Sequence, residues 1–210
     1  MTQPDLDTEQ LIHRARGGDS DARQQLLARH RERLCRMVAA RLDRRVAARL
    51  DPSDVVQDAL MEAAQKLSDY LRDVPVPFYP WLRRLTWEHL LKLHQRHLTA
   101  RKRSVLREQP VRLPLSHESV HELARRLVNH ESSPSRRLLQ AELRDRVQAA
   151  LTRLPESDRE LLALRYMERV SIRDMAAILG IQEGAVKMRH TRALDRLSRL
   201  LATDLKGDEP

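Results

Sequence analysis

The chain has a single cysteine, Cys35, so no intramolecular disulfide can form and packing alone must hold the fold. Cys35 lies among apolar helical positions in RLCRMVAARL, and a thiol in that setting is expected to be buried and inert. Aromatic side chains are scarce too, with one Phe, three Tyr and two Trp in 210 residues. No apolar run approaches the roughly 18 residues that would cross a bilayer. The opening MTQPDLDTEQ is too acidic and polar for a secretory signal, so the chain is expected to stay in the cytoplasm without membrane insertion. Neither a glycine-rich phosphate loop nor a Ser/His/Asp arrangement is present, which leaves no catalytic residue and no cofactor to assign.

What remains is dominated by Leu, Ala, Arg and Glu, and those residue types favour helix over strand. Thirty-nine Lys and Arg against 30 Asp and Glu give a formal charge of +9. A field of that sign gathers phosphates and points to a polyanionic partner. The expected fold is all-α, with helices at about 8–17, 20–41, 52–71 and 78–99. Asp19 or Ser20 should cap the second, and Asp51 followed by Pro52 should open the third. Prolines, serines and histidines then mark a tether with one short helix, ESVHELARRLV. Helical periodicity returns at SPSRRLLQAELRDRV, with Ser133 as a cap and a Ser157/Glu160 capping box further on. The expected layout is two small helical domains, 1–103 and 134–205, joined by a linker at 104–133.

The segment SIRDMAAILGIQEGAVKMRHTRALDRL has the spacing of a helix-turn-helix: a short capped helix, a stop at Gly180, and a longer basic helix from about 183. On a helical wheel Val186, His190, Ala193, Leu197 and Leu201 share the core face. Lys187, Met188, Thr191, Arg192, Asp195 and Arg199 lie opposite, where side chains can enter a major groove. Lys and Arg donate to guanine, Thr serves either partner, and Met meets a thymine methyl. Arg189 and Arg196 flank that face as phosphate contacts.

Four of the six aromatics crowd into FYPWLRRLTWEHLLKLHQRH. The wheel puts Phe78, Trp81, Leu82, Leu85 and His89 on a core face and Trp87 opposite, beside Arg83, Arg84, Leu91 and His94. Between Arg83 and Arg107 stand eight Lys or Arg, three His and one acid, Glu88. Unpaired bases stack on exposed rings, so Trp87 in a basic stripe suits single-stranded DNA; packing against another helix is the alternative. His89, His94 and His97 would supplement phosphate contacts. On the preceding helix Val56, Ala59, Leu60, Ala63 and Leu67 form the core stripe, while Asp54, Asp58, Glu62 and Gln65 gather opposite. Like charges one turn apart oppose helix formation, which points to a basic protein partner for that face; the alternative is that the first carboxylates suit the helix dipole, which explains Asp54 well and Glu62 hardly at all.

Together these segments resemble an extracytoplasmic-function (ECF) sigma factor of bacterial RNA polymerase. DPSDVVQDALMEA is similar to the family's polymerase-clamp motif, FYPWLRRLTWEHLLKLHQRH to its strand-opening segment, and LPESDRELLALRYMERVSIRDMAAILGIQEGAVKMRHTRALDRL to its minus-thirty-five reader. The resemblance implies a region 2-like bundle and a region 4-like helix-turn-helix with no chemistry of their own. It further implies that Asp54, Gln57 and Asp58 bind the clamp helices of the largest polymerase subunit, with the flap of the second-largest subunit as a further contact. Arg83, Arg84, Trp87, Glu88 and Lys92 would lie at the minus-ten strand, and Arg72 to Pro77 would line a flipped-base pocket. Lys187, Met188, Arg189, Thr191 and Arg192 would read the minus-thirty-five duplex, and an anti-sigma factor is a partner the resemblance allows. Two features depart from the family pattern: Glu88 stands where Asn is common, and RDVPVP is poorer in Gly and Ser than usual. The tether containing LSHESVHELARRLV is similar to that of planctomycete-type members.

The tether also contains HESVH, His117 to His121, which fits the H-E-x-x-H pattern of zinc proteases. A zinc enzyme needs a third ligand and a shielded pocket, and no following segment offers either, so no metal is assigned. A free-standing helix-turn-helix regulator is the other reading, but it would need neither the acidic face nor a strand trap.

Overall fold

A computed structural model of the protein describes residues 4–42, 50–99, 114–128 and 137–206. Among them are ten helices and no strand, as the composition implied. They fall into two compact units, Met1–Ala39 with Arg44–Leu113, and Ala40–Asp43 with Pro114–Pro210.

The first unit holds α1 (Pro4–Arg16), α2 (Ser20–Arg29), α3 (Arg31–Ala39), α4 (Pro52–Asp73) and α5 (Phe78–Thr99). Asp19 caps α2 by accepting from the Ala22 N–H at 2.9 Å, and Asp51 caps α4 by accepting from the Ser53 N–H at 2.7 Å. The helix expected over 20–41 breaks at His30. There the imidazole is buried, its ring centroid 5.5 Å from those of both Phe78 and Tyr79. On α4 Val56, Ala59, Ala63 and Leu67 are buried as the wheel required, joined by Val55, Tyr70 and Leu71. The aromatic cluster is mainly core: Phe78, Tyr79 and Trp81 are buried, with Tyr70 4.5 Å from Trp81 between ring centroids.

Burial pushes the His30 imidazole down from 6.5 to about 3, and the charges of Arg33 and Arg29 push the same way. A histidine held neutral in the fold protonates first in the unfolded chain. Stability of this unit is therefore full above about pH 6.5 and falls with pH towards about 3, by roughly 1.4 kcal/mol per pH unit across the window. Both tryptophans, Trp81 and Trp87, lie in this unit. Urea midpoints read by tryptophan fluorescence should drop between pH 7 and 5, and His30→Phe should flatten that dependence; an unchanged slope in the variant would exclude His30 as the source.

The second unit holds α6 (His117–Val128), α7 (Arg137–Arg153), α8 (Glu156–Tyr166), α9 (Ile172–Leu179) and α10 (Glu183–Lys206). The short helix assigned to the tether is α6, and its Val120, Leu123 and Ala124 share one core with Val147, Ala150 and Leu151 of α7. Leu154, Leu162, Ala163, Met167, Ala193 and Leu197 belong to that core as well, and Ala40 joins it. The Ser133 cap lies outside the described residues. No capping box forms at Ser157 and Glu160: Pro155 is the N-cap residue, without a side-chain bond, and Ser157 lies within the helix. Glu160 is engaged instead by Arg41, whose Nη2 donates to its carboxylate at 2.5 Å. Ser171 caps α9 by accepting from the Asp174 N–H at 3.0 Å. Gly180 ends α9 at φ 64°, ψ 33°, a left-handed conformation in which a Cβ would crowd its own carbonyl. A Cβ there would meet nothing within 4 Å, so backbone conformation alone calls for glycine.

Candidate functional site

Helix α10 begins two residues after the Gly180 turn and buries Val186, Ala193 and Leu197. His190 is half-buried and stacked on Tyr166 at 5.8 Å between centroids, and burial followed by the Arg165 charge lowers its pKa. It is thus a packed histidine, as expected from its stripe. Lys187, Met188, Thr191, Arg192, Asp195 and Arg199 are all exposed on the far side. Met188 is 55% exposed, a large apolar side chain held out among cations. The Thr191 hydroxyl donates to the Lys187 carbonyl at 3.2 Å, which fixes its methyl and leaves its lone pairs available. Arg189 is exposed at the flank, whereas Arg196 pairs with Asp158 at 2.5 Å and is not free for a phosphate.

Helix α5 departs from the wheel, because it is buried on two faces. Alongside Trp81, Leu82 and Leu85 it buries Arg83, Thr86, Leu90 and His94. Arg83 is therefore withdrawn from the surface assigned to it, with its guanidinium carbon 5.8 Å from the centroid of the Trp87 ring. Trp87 is half-buried, which puts it between the stacking and packing alternatives. The face left to solvent is Arg84, Glu88, Lys92 and Gln95, one turn after another. Arg84 Nε and Glu88 Oε1 are 3.9 Å apart, a distance at which the carboxylate keeps its acceptor capacity. The His97 side chain lies outside what is described.

Before α5 comes the loop 74–77. Val74 adopts φ 42° as the C-cap of α4, an uncommon conformation for a β-branched residue. Tyr70 holds the loop by donating its hydroxyl to the Val76 carbonyl at 2.9 Å.

On α4 the exposed stripe is Asp54, Gln57, Asp58, Met61 and Gln65. Met61 is 55% exposed, and the sequence pattern does not single it out. Glu62, placed on this stripe by the wheel, turns towards α5. It accepts from Lys66 at 2.5 Å, and that bond and then the charges of Lys66, Lys92 and His89 hold its pKa below the usual carboxylate range. Asp58 stands at the same seam, its Oδ2 3.7 Å from His89 Nε2. The acidic stripe of α4 and the basic stripe of α5 thus belong to one surface of the first unit. Among the described residues no group of three or more His, Cys, Asp and Glu gathers as a metal site.

Comparison with known proteins matches residues 144–197 to the family model "Sigma-70, region 4". The ECF RNA polymerase sigma factor SigM of Mycobacterium tuberculosis is 34% identical over 187 residues, covering 88% of this chain and 79% of the relative. The chain belongs to the ECF sigma factors. The RNA polymerase sigma-H factor of Pseudomonas aeruginosa is 28% identical over 193 residues, 92% of this chain and 93% of that one. Among solved structures, CnrH in complex with the cytosolic domain of CnrY aligns with a TM-score of 0.51 at 26% identity, covering 94% of this sigma factor and 99% of CnrH. A sigma factor of this kind directs RNA polymerase core to promoters, and its surfaces are binding surfaces. No described helix is long and apolar enough to cross a membrane.

Proposed function

We propose that the sigma factor divides its contacts by charge. The acidic stripe of α4 docks on the clamp helices of the largest polymerase subunit through Asp54, Gln57 and Asp58, with Met61 as the apolar centre of that contact. The basic stripe of α5, with Arg84, Glu88 and Lys92 outermost and Trp87 beside them, holds the melted minus-ten strand, and residues 72–77, the end of α4 and the loop after it, border a flipped base. Arg83 acts from beneath by steadying the Trp87 ring. The second unit contacts the flap of the second-largest subunit, while Lys187, Met188, Thr191 and Arg192 read the minus-thirty-five groove and Arg189 grips its backbone.

The observation that carries this reading is that the exposed stripe Asp54, Gln57, Asp58, Met61 and Gln65 of α4 holds acids and no cation, while Arg84 and Lys92 stand on the exposed stripe of α5. A helix-turn-helix protein acting without polymerase gains nothing from a solvent-facing methionine set among Asp54, Gln57 and Asp58. The exchange of Asn for Glu88 directs preference towards bases that offer an amino group, since a carboxylate only accepts. The α6-containing segment supports a planctomycete-type subgroup. CnrH, solved with the cytosolic domain of CnrY, supports a protein partner such as an anti-sigma factor for this chain as well, acting in the cytoplasm.

Run-off transcription with core polymerase tests the reading, since the protein should create starts at a promoter that core alone ignores. Two substitutions separate groove reading from backbone grip. Lys187→Ala should cost about 1–3 kcal/mol at promoters with the preferred base and little elsewhere. Arg189→Ala should weaken all promoters alike and flatten the dependence of log K on log salt by about 1. Equal losses on every sequence from Lys187→Ala would remove it from base recognition.

A further inference from the structure

The HESVH motif has a feature that sigma activity does not use. His117 and His121 occupy one face of α6 a turn apart, and both are exposed. Their ring nitrogens converge on one amide, that of Gln148 on α7: His121 Nδ1 is 2.8 Å from Gln148 Oε1, and Gln148 Nε2 is 3.4 Å from His117 Nε2. Sequence pattern alone supplied two ligands and no third. The third polar group comes from the neighbouring helix, 27 residues beyond His121.

We propose that His117, His121 and Gln148 form a binding site for a divalent transition-metal ion of the zinc type. Two imidazole nitrogens aimed at one small polar group are two nitrogens that can share a cation. In the metal-free arrangement the amide fills the gap, with His121 Nδ1–H donating to Oε1 and Gln148 Nε2–H donating to the lone pair of His117. A metal takes that place when the His121 proton moves from Nδ1 to Nε2, a change of neutral tautomer that releases no proton. Both rings then donate lone pairs, Gln148 Oε1 supplies a third contact, and water fills the open tetrahedral position. Imidazole nitrogen with amide oxygen suits zinc, while Mg²⁺ and Ca²⁺ prefer all-oxygen sets. Zinc hydrolysis is not implied, for the site is open to solvent where such chemistry needs a shielded pocket. The ion acts as a clip that ties α6 to α7 within the second unit.

Isothermal titration of the full-length protein with ZnCl₂, and with MgCl₂ as the control ion, tests this. One Zn²⁺ per chain is expected, with no saturable Mg²⁺ binding. His117→Ala and His121→Ala should each weaken the zinc isotherm by about tenfold or more. Gln148→Glu should tighten it, because a carboxylate completes the His₂Glu set that zinc favours. Tightening by that exchange is a response that a merely structural amide bridge would not give. Zinc should also raise the melting of the second unit by circular dichroism and leave the tryptophan-reported unfolding of the first unit unchanged. Absence of saturable zinc binding, or binding that survives both histidine substitutions, would overturn the proposal. Neither result bears on run-off transcription, so the sigma assignment stands or falls separately.

Discussion

Asp58→Arg is expected to remove promoter-specific initiation by the reconstituted holoenzyme while the protein stays folded. Its side chain is 54% exposed, and the His89 ring nitrogen Nε2 stands 3.7 Å from its Oδ2. An exposed pair of that kind contributes little to stability, so reversal should leave both circular dichroism and tryptophan fluorescence as in the parent. Binding is a different matter. A carboxylate enclosed against a basic partner is deprived of water, and replacing it with a cation sets like charges together, at a cost of about 2–5 kcal/mol. The affinity for core polymerase should fall at least about thirtyfold by that scale. Asp58→Asn should fall between, because the shape and one acceptor survive. Met61→Ala should also weaken core binding without altering the charge, since an apolar side chain at the centre of a contact is where truncation costs most. Fluorescence anisotropy of labelled protein titrated with core polymerase measures all three. Wild-type affinity in Asp58→Arg would move the polymerase contact off α4.

Comparison of α10 with α5 explains how far the sequence could be read. Helix α10 has one dry face and one wet face, so a wheel with a single core stripe recovers Val186, Ala193 and Leu197 inside and Lys187, Met188, Thr191 and Arg192 outside. Helix α5 is packed on two sides. The second burial stripe takes Arg83, Thr86 and His94, and polarity is a poor guide to position when long side chains bury their stems and hydrogen-bond their heads. Thr86, for instance, donates to the Leu82 carbonyl at 3.0 Å and is fully enclosed. Caps were legible where the residue type is specific, as at Asp19, Asp51 and Gly180. They were not where the tertiary partner is far off: Glu160 looked like the second half of a capping box, and only Arg41, 119 residues earlier, shows why it is there. The convergence of His117 and His121 on Gln148 likewise depends on how α6 lies on α7, which no local pattern records. Met61 was hidden for the opposite reason, since an apolar residue in a helix is ordinarily core.

Arg41→Ala should destabilise the second unit by about 3–5 kcal/mol. The Arg41 side chain is fully buried within that unit, its Nη1 donating to Glu168 at 3.0 Å and its Nη2 to Glu160. Glu168 is equally buried, so truncation of Arg41 takes a charged partner from a carboxylate in a medium that solvates it poorly. For a domain whose whole stability is about 5–15 kcal/mol, such a loss brings unfolding close to working temperature. Position amplifies the consequence. Glu168 lies between the end of α8 and the Ser171 cap of α9, in a turn where Arg169 adopts φ 54°. Losing its anchor frees the segment that aims the helix-turn-helix, and minus-thirty-five binding should fail along with the fold. The decisive comparison is the pair Arg41→Met with Glu168→Leu. Replacing both fully buried charges by apolar groups of similar bulk should restore most of the stability lost in Arg41→Ala, because the buried carboxylate goes with its partner while Glu160, 29% exposed, keeps contact with water. Urea unfolding followed by circular dichroism measures this. Tryptophan fluorescence, confined to the first unit, should keep its parent midpoint throughout. If Arg41→Ala leaves the dichroism transition in place, the ion pair is not what fastens Ala40–Asp43 into the promoter-reading unit.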